Sequence, residues 1–306
     1  MRLVHCGARF GLLHKSAWPR SLFCSVFLCA IYGIRSLDSF RASRDFPAVK
    51  CVPDVASPFF SGLITAIELQ GRALGYCLML LNSKGSPDEK YDLLLIVMQK
   101  QMDGLIFYPI TQCEGGVAER TLSLLRELFT GARFCSCHTA IPQEALAEVF
   151  RQCAEKRIDM ILKPNNFLPA EYEAEWLDGL FLLLPNESEI AMLRPELETL
   201  EEWIYAYRAK GVRNIIVTLA ERGCAFLAED CDRIRYYPTE QVDVVDATGA
   251  SDCFIAALMT CLFDRADFDY AIKYADFAAS LSVTRSSSIA SADYKSMLDL
   301  HFGTIL

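Results

Sequence analysis

Seven consecutive residues, Asp246-Ala247-Thr248-Gly249-Ala250-Ser251-Asp252, have the types and order needed to hold an anion and react with it. They lie between an extended segment, Val242–Val245, and an amphipathic helix that opens Cys253-Phe254-Ile255-Ala256. Small residues ahead of a helix leave backbone N–H groups without intrahelical acceptors, and the helix dipole adds positive potential at the same spot. A carboxylate on the first turn, Asp252, is a poor neighbour for a resting phosphate. It suits a different task, accepting the proton of a hydroxyl that attacks one. The simpler reading is that Asp246 and Asp252 cap the helix and Gly249 supplies a tight turn.

Two further segments bear on the choice. Asn186-Glu187-Ser188-Glu189 follows the apolar run Leu180–Leu184 and presents an amide and a carboxylate at i and i+3. That pair suits holding water and Mg²⁺ beside phosphates, although helix capping is the ordinary use of such a spacing. Thr218-Leu219-Ala220-Glu221-Arg222-Gly223 closes another apolar run, where a hydroxyl and a permissive turn fit under a nucleotide phosphate. Each segment alone is a weak signal. Their order is more specific, because each ends a predicted strand and ligands of open α/β sheets bind outside the carboxyl ends of the strands.

The elements that must position these residues follow from the periodicity. From about residue 47 short apolar runs alternate with helical patterns, which predicts α/β layers around a mainly parallel sheet. Strands are expected at Ala48–Val52, Tyr76–Leu81, Gly104–Tyr108, Ala132–Cys137, Met160–Leu162, Leu180–Leu184 and Asn214–Leu219. A further pair, Cys224–Leu227 and Ile234–Tyr237, is separated by the turn-forming Glu229–Asp232. Helices are expected over 58–74, 87–101, 116–130, 143–155, 169–176, 199–210, 250–263, 268–284 and 293–301.

Composition bounds the function classes. The 306 residues are 52% hydrophobic and 23% charged, enough to bury a sizeable core and too apolar for a disordered chain. With 30 basic and 39 acidic residues, the net charge of −9 excludes general nucleic-acid binding and attraction to anionic lipid. Thirteen cysteines without zinc-ribbon spacing, Cys135 and Cys137 among them in a strand-like run, read as buried thiols of a reduced cytoplasmic protein. Four histidines are too few to favour Ser-His-Asp hydrolysis or a His-based metal centre. Arg2, Arg9, Lys15 and Arg20 precede an apolar stretch from Leu22 to Ile34, the layout of an export signal, but that stretch is short for a membrane span. Residues 1–46 are therefore expected to be an unspecified extension.

The Pro-Asn-Glu-Ser-Glu, Val-Thr-Leu-x-x-x-Gly and Asp-x-Thr-Gly-Ala-x-Asp elements together resemble the ribokinase (PfkB) family of ATP-dependent sugar and nucleoside kinases, in order and in spacing. The resemblance runs from about residue 135 to 306 and includes Ser282-Val283-Thr284-Arg285. It implies a ribokinase-like three-layer α/β/α domain over 135–306, with Asp252 as general base and Gly249, Ala250 and Ser251 as anion hole. It further implies that Asn186 and Glu189 order Mg²⁺ and its waters, and that Thr218, Gly223 and Asn186 line the nucleotide. Asp246 and Thr248 would lie by the K⁺-type monovalent-cation loop. The partners implied are ATP and a small-molecule sugar or nucleoside.

Departures from the family pattern are Ser251 and Ala220, each in place of a glycine, and Ser287-Ser288 in place of a Gly-Ala pair near the adenine. The amino-terminal substrate and lid half of the family is not matched before residue 135. Instead, Val52-Pro53-Asp54-Val55-Ala56-Ser57-Pro58-Phe59-Phe60, Leu74-Gly75-Tyr76, Asn82-Ser83 and Met102-Asp103-Gly104-Leu105-Ile106 resemble the first lobe of a lac-repressor-type sugar-binding domain. A partial periplasmic-binding-protein-like α/β lobe is thus expected over 47–134, with Ser57 and Phe59 either facing a sugar or forming lobe core. Three functions remain open: a carbohydrate kinase, a non-catalytic sugar-responsive regulator, and a truncated repressor–kinase fusion without activity. In the last case a sheet cut in mid-domain exposes an edge and apolar surface, so marginal stability or homo-oligomerisation is expected.

Overall fold

The computed structural model describes residues 2–6, 47–52, 64, 68, 77–82, 104–107, 132–139, 143–164, 168, 173–247, 249–263, 266–284 and 301–302. Their strands are β1 (Arg2–Cys6), β2 (Pro47–Val52), β3 (Cys77–Asn82), β4 (Gly104–Phe107), β5 (Ala132–His138), β6 (Asp159–Lys163), β7 (Leu182–Leu183), β8 (Asn214–Thr218), β9 (Cys224–Leu227) and β10 (Arg235–Tyr237). The helices are α1 (Gln143–Lys156), α2 (Glu173–Leu177), α3 (Glu187–Leu193), α4 (Leu200–Ala209), α5 (Ala250–Phe263) and α6 (Phe268–Val283).

All ten strands join one sheet in the order β10-β9-β8-β7-β6-β5-β1-β4-β2-β3. Neighbours from β3 across to β8 are parallel, and β9 runs antiparallel to both β8 and β10. Parallel strands need both faces covered, and among the described residues the core shows this from β5 to β9. Along β6, Met160 and Leu162 enter one apolar cluster while Ile161 enters the other. Ile215 and Val217 oppose Ile216 on β8 in the same way, and Ala225 and Leu227 oppose Phe226 on β9. The period-2 alternation of side chains therefore feeds two cores. The first contains α1, α2 and α4 residues such as Leu146, Trp176 and Ile204; the second contains α5 and α6 residues such as Leu258 and Ile272. The result is the three-layer α/β/α arrangement expected for 135–306.

Local chemistry sets the helix starts. Thr199 caps α4 by accepting from Glu202 N at 3.3 Å while Glu202 returns a bond to Thr199 N at 3.0 Å. Asp267 caps α6 through Tyr270 N at 2.8 Å.

Several expectations need adjusting. The strand expected over Leu180–Leu184 is paired only at Leu182–Leu183. Helix α3, starting at Glu187, had no counterpart in the expected elements. It is only seven residues long, under two turns, and its pattern is too short to register as periodicity. Arg2–Cys6, inside the segment read as an unspecified extension, forms β1 between β4 and β5. The strands β2, β3 and β4 of the expected repressor-like lobe continue the same sheet. The expected helices over 87–101 and 116–130, together with Ser57, Phe59, Ser287 and Ser288, lie outside the described residues. Of 58–74 only Ile64 and Glu68 are described, both helical.

Candidate nucleotide and phosphoryl site

Because β6, β7 and β8 are parallel, the residues that follow them emerge on one edge of the sheet. Asn186 forms an isolated parallel bridge with Thr218, and Thr218 N donates to Pro185 O at 3.1 Å. Two of the three sequence motifs thus lie side by side. The third approaches through α6: Val245 N and Asp246 N both donate to Val283 O, at 2.8 and 3.1 Å, which ties the lead-in of α5 to the end of its packing partner.

At the start of α5, Gly249 has φ +85°, a conformation that favours glycine, and Cys253 N donates to Gly249 O at 2.9 Å. Ala250 N already donates to Ala247 O at 3.3 Å. Among the described residues no backbone acceptor engages the N–H groups of Gly249, Ser251 and Asp252. Gly249, Ala250 and Ser251, expected from the sequence to form an anion hole, thus lie at the start of α5, with the Ala250 N–H committed to the turn. Thr248 lies outside the described residues, and Asp246 is half-buried beside it.

Asp252 is 7% exposed, so it does not act as a solvent-facing cap. Burial pushes its carboxyl up to about 7, with Lys163 pulling it down and Glu189 adding to the rise. A carboxyl poised near neutrality is suited to exchanging a proton with a hydroxyl. The neighbouring Cys253 thiol is pushed up to about 12, first by burial and then by the Asp252 charge, and is inert as a nucleophile at neutral pH.

Glu189 and Asn186 meet as a capping box at the start of α3: Asn186 Oδ1 accepts from Glu189 N at 2.7 Å, and Glu189 Oε2 accepts from Asn186 N at 2.8 Å. The ordinary capping use of this spacing is realised. A second bond makes the site unusual. Lys163 Nζ, at the end of β6, donates to the same Glu189 Oε2 at 2.6 Å, with both side chains buried. Lys163 was not singled out from the sequence. The available signal was a lysine closing the apolar run Met160-Ile161-Leu162 just before Pro164, a charge where burial is expected.

Thr218 is half-buried at the end of β8, and the loop beyond it is a 3₁₀ turn over Ala220–Arg222. Gly223 has φ +86°, and a Cβ there would sit 1.9 Å from Tyr237 O. The glycine is thus required by close packing against the end of β10, independently of any nucleotide. Ala220, in place of the usual glycine, also has positive φ, +52°. Arg222 pairs with Glu187 across to α3, tying the two loops together at the surface.

Among the described residues no cluster of three or more His, Cys, Asp or Glu forms a metal cage. The donors at hand, Asn186 and one carboxylate already paired to a lysine, fit Mg²⁺ that is carried by phosphates and water.

A three-layer α/β fold with a helix amino terminus, a buried carboxylate and two strand-end loops on one sheet edge is the class defined so far. Residues 118–295, more than half of the chain, match the model of the pfkB family carbohydrate kinases, and the chain belongs to that family. It is 36% identical over 143 residues to ribokinase of Bacillus subtilis, covering 47% of this chain and 46% of the relative. To Arabidopsis thaliana ribokinase it is 30% identical over 179 residues, covering 57% and 47%. The chain spans about half the length of the curated relatives it matches. Among solved structures, Giardia lamblia ribokinase superposes with a TM-score of 0.55 at 18% identity, covering 84% of this chain and 82% of that one. Arabidopsis thaliana ribokinase complexed with ribose and ATP gives 0.53 at 21%, covering 80% and 78%. These likenesses establish the ribokinase-like fold.

Proposed function

We propose that this chain is an ATP-dependent carbohydrate kinase that phosphorylates a sugar or nucleoside hydroxyl, with residues 135–306 as its kinase domain. The observation that carries the reading is Asp252, buried on the first turn of α5, where the N–H groups of Gly249 and Ser251 meet no backbone acceptor among the described residues, and poised near neutrality. In the reaction the acceptor hydroxyl gives its proton to Asp252 as its oxygen bonds to the γ-phosphorus, and the bond from that phosphorus to ADP breaks. The N–H groups of Gly249 and Ser251, with Ala250, face the negative charge that develops on the transferred group. Thr218, Gly223 and Asn186 line the nucleotide, and Asn186 and Glu189 would hold waters of Mg²⁺, which neutralises phosphate charge when bound. By the resemblance, Asp246 and Thr248 would serve a K⁺-type monovalent-cation loop. The named relatives, ribokinases and deoxyribokinases, support a pentose among the candidate acceptors. A reduced cytoplasm suits the free thiols.

The test is phosphorylation of a panel of pentoses, hexoses and nucleosides with ATP and Mg²⁺. Product formation by wild type that disappears in Asp252→Asn supports the assignment; equal rates above background in both would refute the role of Asp252.

The family's amino-terminal substrate and lid motifs, unmatched in the sequence before residue 135, favour one second reading, in which the chain binds ligand without turnover. The repressor-like resemblance over 47–115, and a rearranged repressor–kinase product, belong to this reading. Calorimetric binding of sugar or nucleotide with no product would select it, and sedimentation would reveal the self-association that either reading allows.

A further inference from the structure

Lys163 is 5% exposed and its partner Glu189 8%. A buried ion pair is a weak source of stability, because removing two charges from water costs about as much as their attraction returns, and an apolar pair of the same volume does as well or better. This pair lies where β6 ends, on the sheet edge that also carries Asn186, Thr218 and, through α5, Asp252. Its position therefore calls for a reason other than folding.

Two features of the geometry supply one. Glu189 Oε2 takes donors from two different elements, Lys163 Nζ at 2.6 Å and Asn186 N at 2.8 Å, which fixes the plane of the carboxylate. Oε1 has no hydrogen-bond donor among the described residues. Asp252 also interacts electrostatically with both members of the pair. Glu189 and Asp252 alone would put two negative charges into a dry pocket intended for a polyanion; Lys163 leaves the trio at a net charge of −1.

We propose that Lys163 is a positioning residue of the phosphoryl site: it aims Glu189 and cancels its charge beside Asp252, so that an anionic phosphate and its metal waters are admitted. The second half of this statement rests on the kinase reading above; the first half does not.

The experiment therefore has two arms on the full chain. In the first, thermal unfolding at pH 8 without nucleotide compares wild type, Lys163→Met, Asp252→Asn and the double variant. The fall in melting temperature caused by Lys163→Met should be smaller in the Asp252→Asn background, since one of the two charges that Lys163 offsets is gone. In the second, calorimetry measures ADP binding with and without Mg²⁺. Lys163→Met should weaken ADP on the order of tenfold, Lys163→Arg should restore most of it, and Lys163→Met with Glu189→Gln should regain the Mg²⁺-free affinity without regaining the Mg²⁺ dependence.

An identical fall in both backgrounds overturns the charge coupling, and folded Lys163→Met that binds ADP like wild type overturns the role at the phosphoryl site. If Lys163→Met does not fold, Lys163→Met with Glu189→Gln, which leaves no orphaned buried charge, carries the second arm: ADP binding no better than about a tenth of wild type would refute the proposal. Wild type that binds no ADP while the coupling is intact removes the kinase reading and leaves Lys163 as the charge partner of Glu189 and Asp252.

Discussion

Asn186 and Thr218 pair as a parallel bridge just beyond the ends of β7 and β8, so the amide of one motif and the hydroxyl of another share one edge of the sheet. Neither residue is informative alone. Parallel pairing of their strands, with Thr218 N held by Pro185 O at 3.1 Å, brings them together. The same edge receives Asp252 from α5, close enough for its carboxyl to feel the charges of Lys163 and Glu189.

Asp252→Asn should lower the rate of phosphoryl transfer on the order of a hundredfold or more, the usual worth of a positioned base. For wild type, kcat/KM should fall as pH drops below about 7, since the carboxyl must be ionised to take the proton. A pH–rate profile flat from pH 6 to 8 would contradict the assignment.

Stability should show the opposite preference. The folded state raises the Asp252 carboxyl from its ordinary 3.8 to about 7, so the folded chain holds this proton more tightly than the unfolded one. The contribution of this group is fully present below about pH 3.8 and is lost as pH rises through 7. Asp252→Asn should therefore gain stability over wild type as pH increases, levelling above about 7, by a few kcal/mol at most. Urea titrations at pH 5 and pH 8 would reveal the trend.

Two positions in one turn should respond with opposite signs. Gly223→Ala would drive a Cβ into Tyr237 O at 1.9 Å from a backbone at φ +86°, and should cost about 2 kcal/mol or more. Ala220→Gly relieves a left-handed φ of +52° that costs a residue with Cβ roughly 1 kcal/mol, partly offset by the greater freedom of glycine when unfolded. A small gain of roughly 0.5 kcal/mol is expected from denaturant midpoints.

Asn214, 3% exposed on β8, donates from Nδ2 to Phe181 O at 3.0 Å and accepts at Oδ1 from Glu229 N at 3.0 Å. Asn214→Ala would leave both backbone groups without their partner, at about 1 to 3 kcal/mol in chemical denaturation. Asn214→Asp should retain the bond to Glu229 N and lose the other, and so fall between.

Trp176 on α2 stacks on Phe150 of α1 with ring centroids 4.6 Å apart and planes 7° from parallel. Trp176→Ala should lose about 3 to 5 kcal/mol through the cavity left under two helices. Unchanged thermal stability would mean that α2 is not part of the cooperative core.

Much of this was legible beforehand. The runs Met160–Leu162, Leu180–Leu184 and Asn214–Leu219 are apolar enough to demand burial on both faces, and that predicts parallel strands with ligand-binding loops at one edge. The Gly249 turn and the place of Asp252 on the first helical turn were readable from the small-residue run before a helix, whereas the burial that separates Asp252 from an ordinary cap was not. Lys163 was not, because a lysine at a strand end is ordinarily a solvated terminus, and nothing local says that Glu189, from another element, will meet it. The strained Ala220 was legible only through the resemblance, and the tight contact at Gly223 depends on the register of the β9–β10 pair, which sets Tyr237 against Cys224.

By itself, then, the sequence determined the layers and the three motifs, because hydrophobic periodicity and the needs of helix ends are local properties of the chain. Tertiary structure alone decided which charges face each other. The inclusion of Arg2–Cys6 as β1, the bridge from Asn186 to Thr218 and the burial of Lys163 against Glu189 beside Asp252 all join residues far apart in sequence. Electrostatic character in a dry pocket depends on distance through space, and only the register of a parallel sheet brings these groups to one edge.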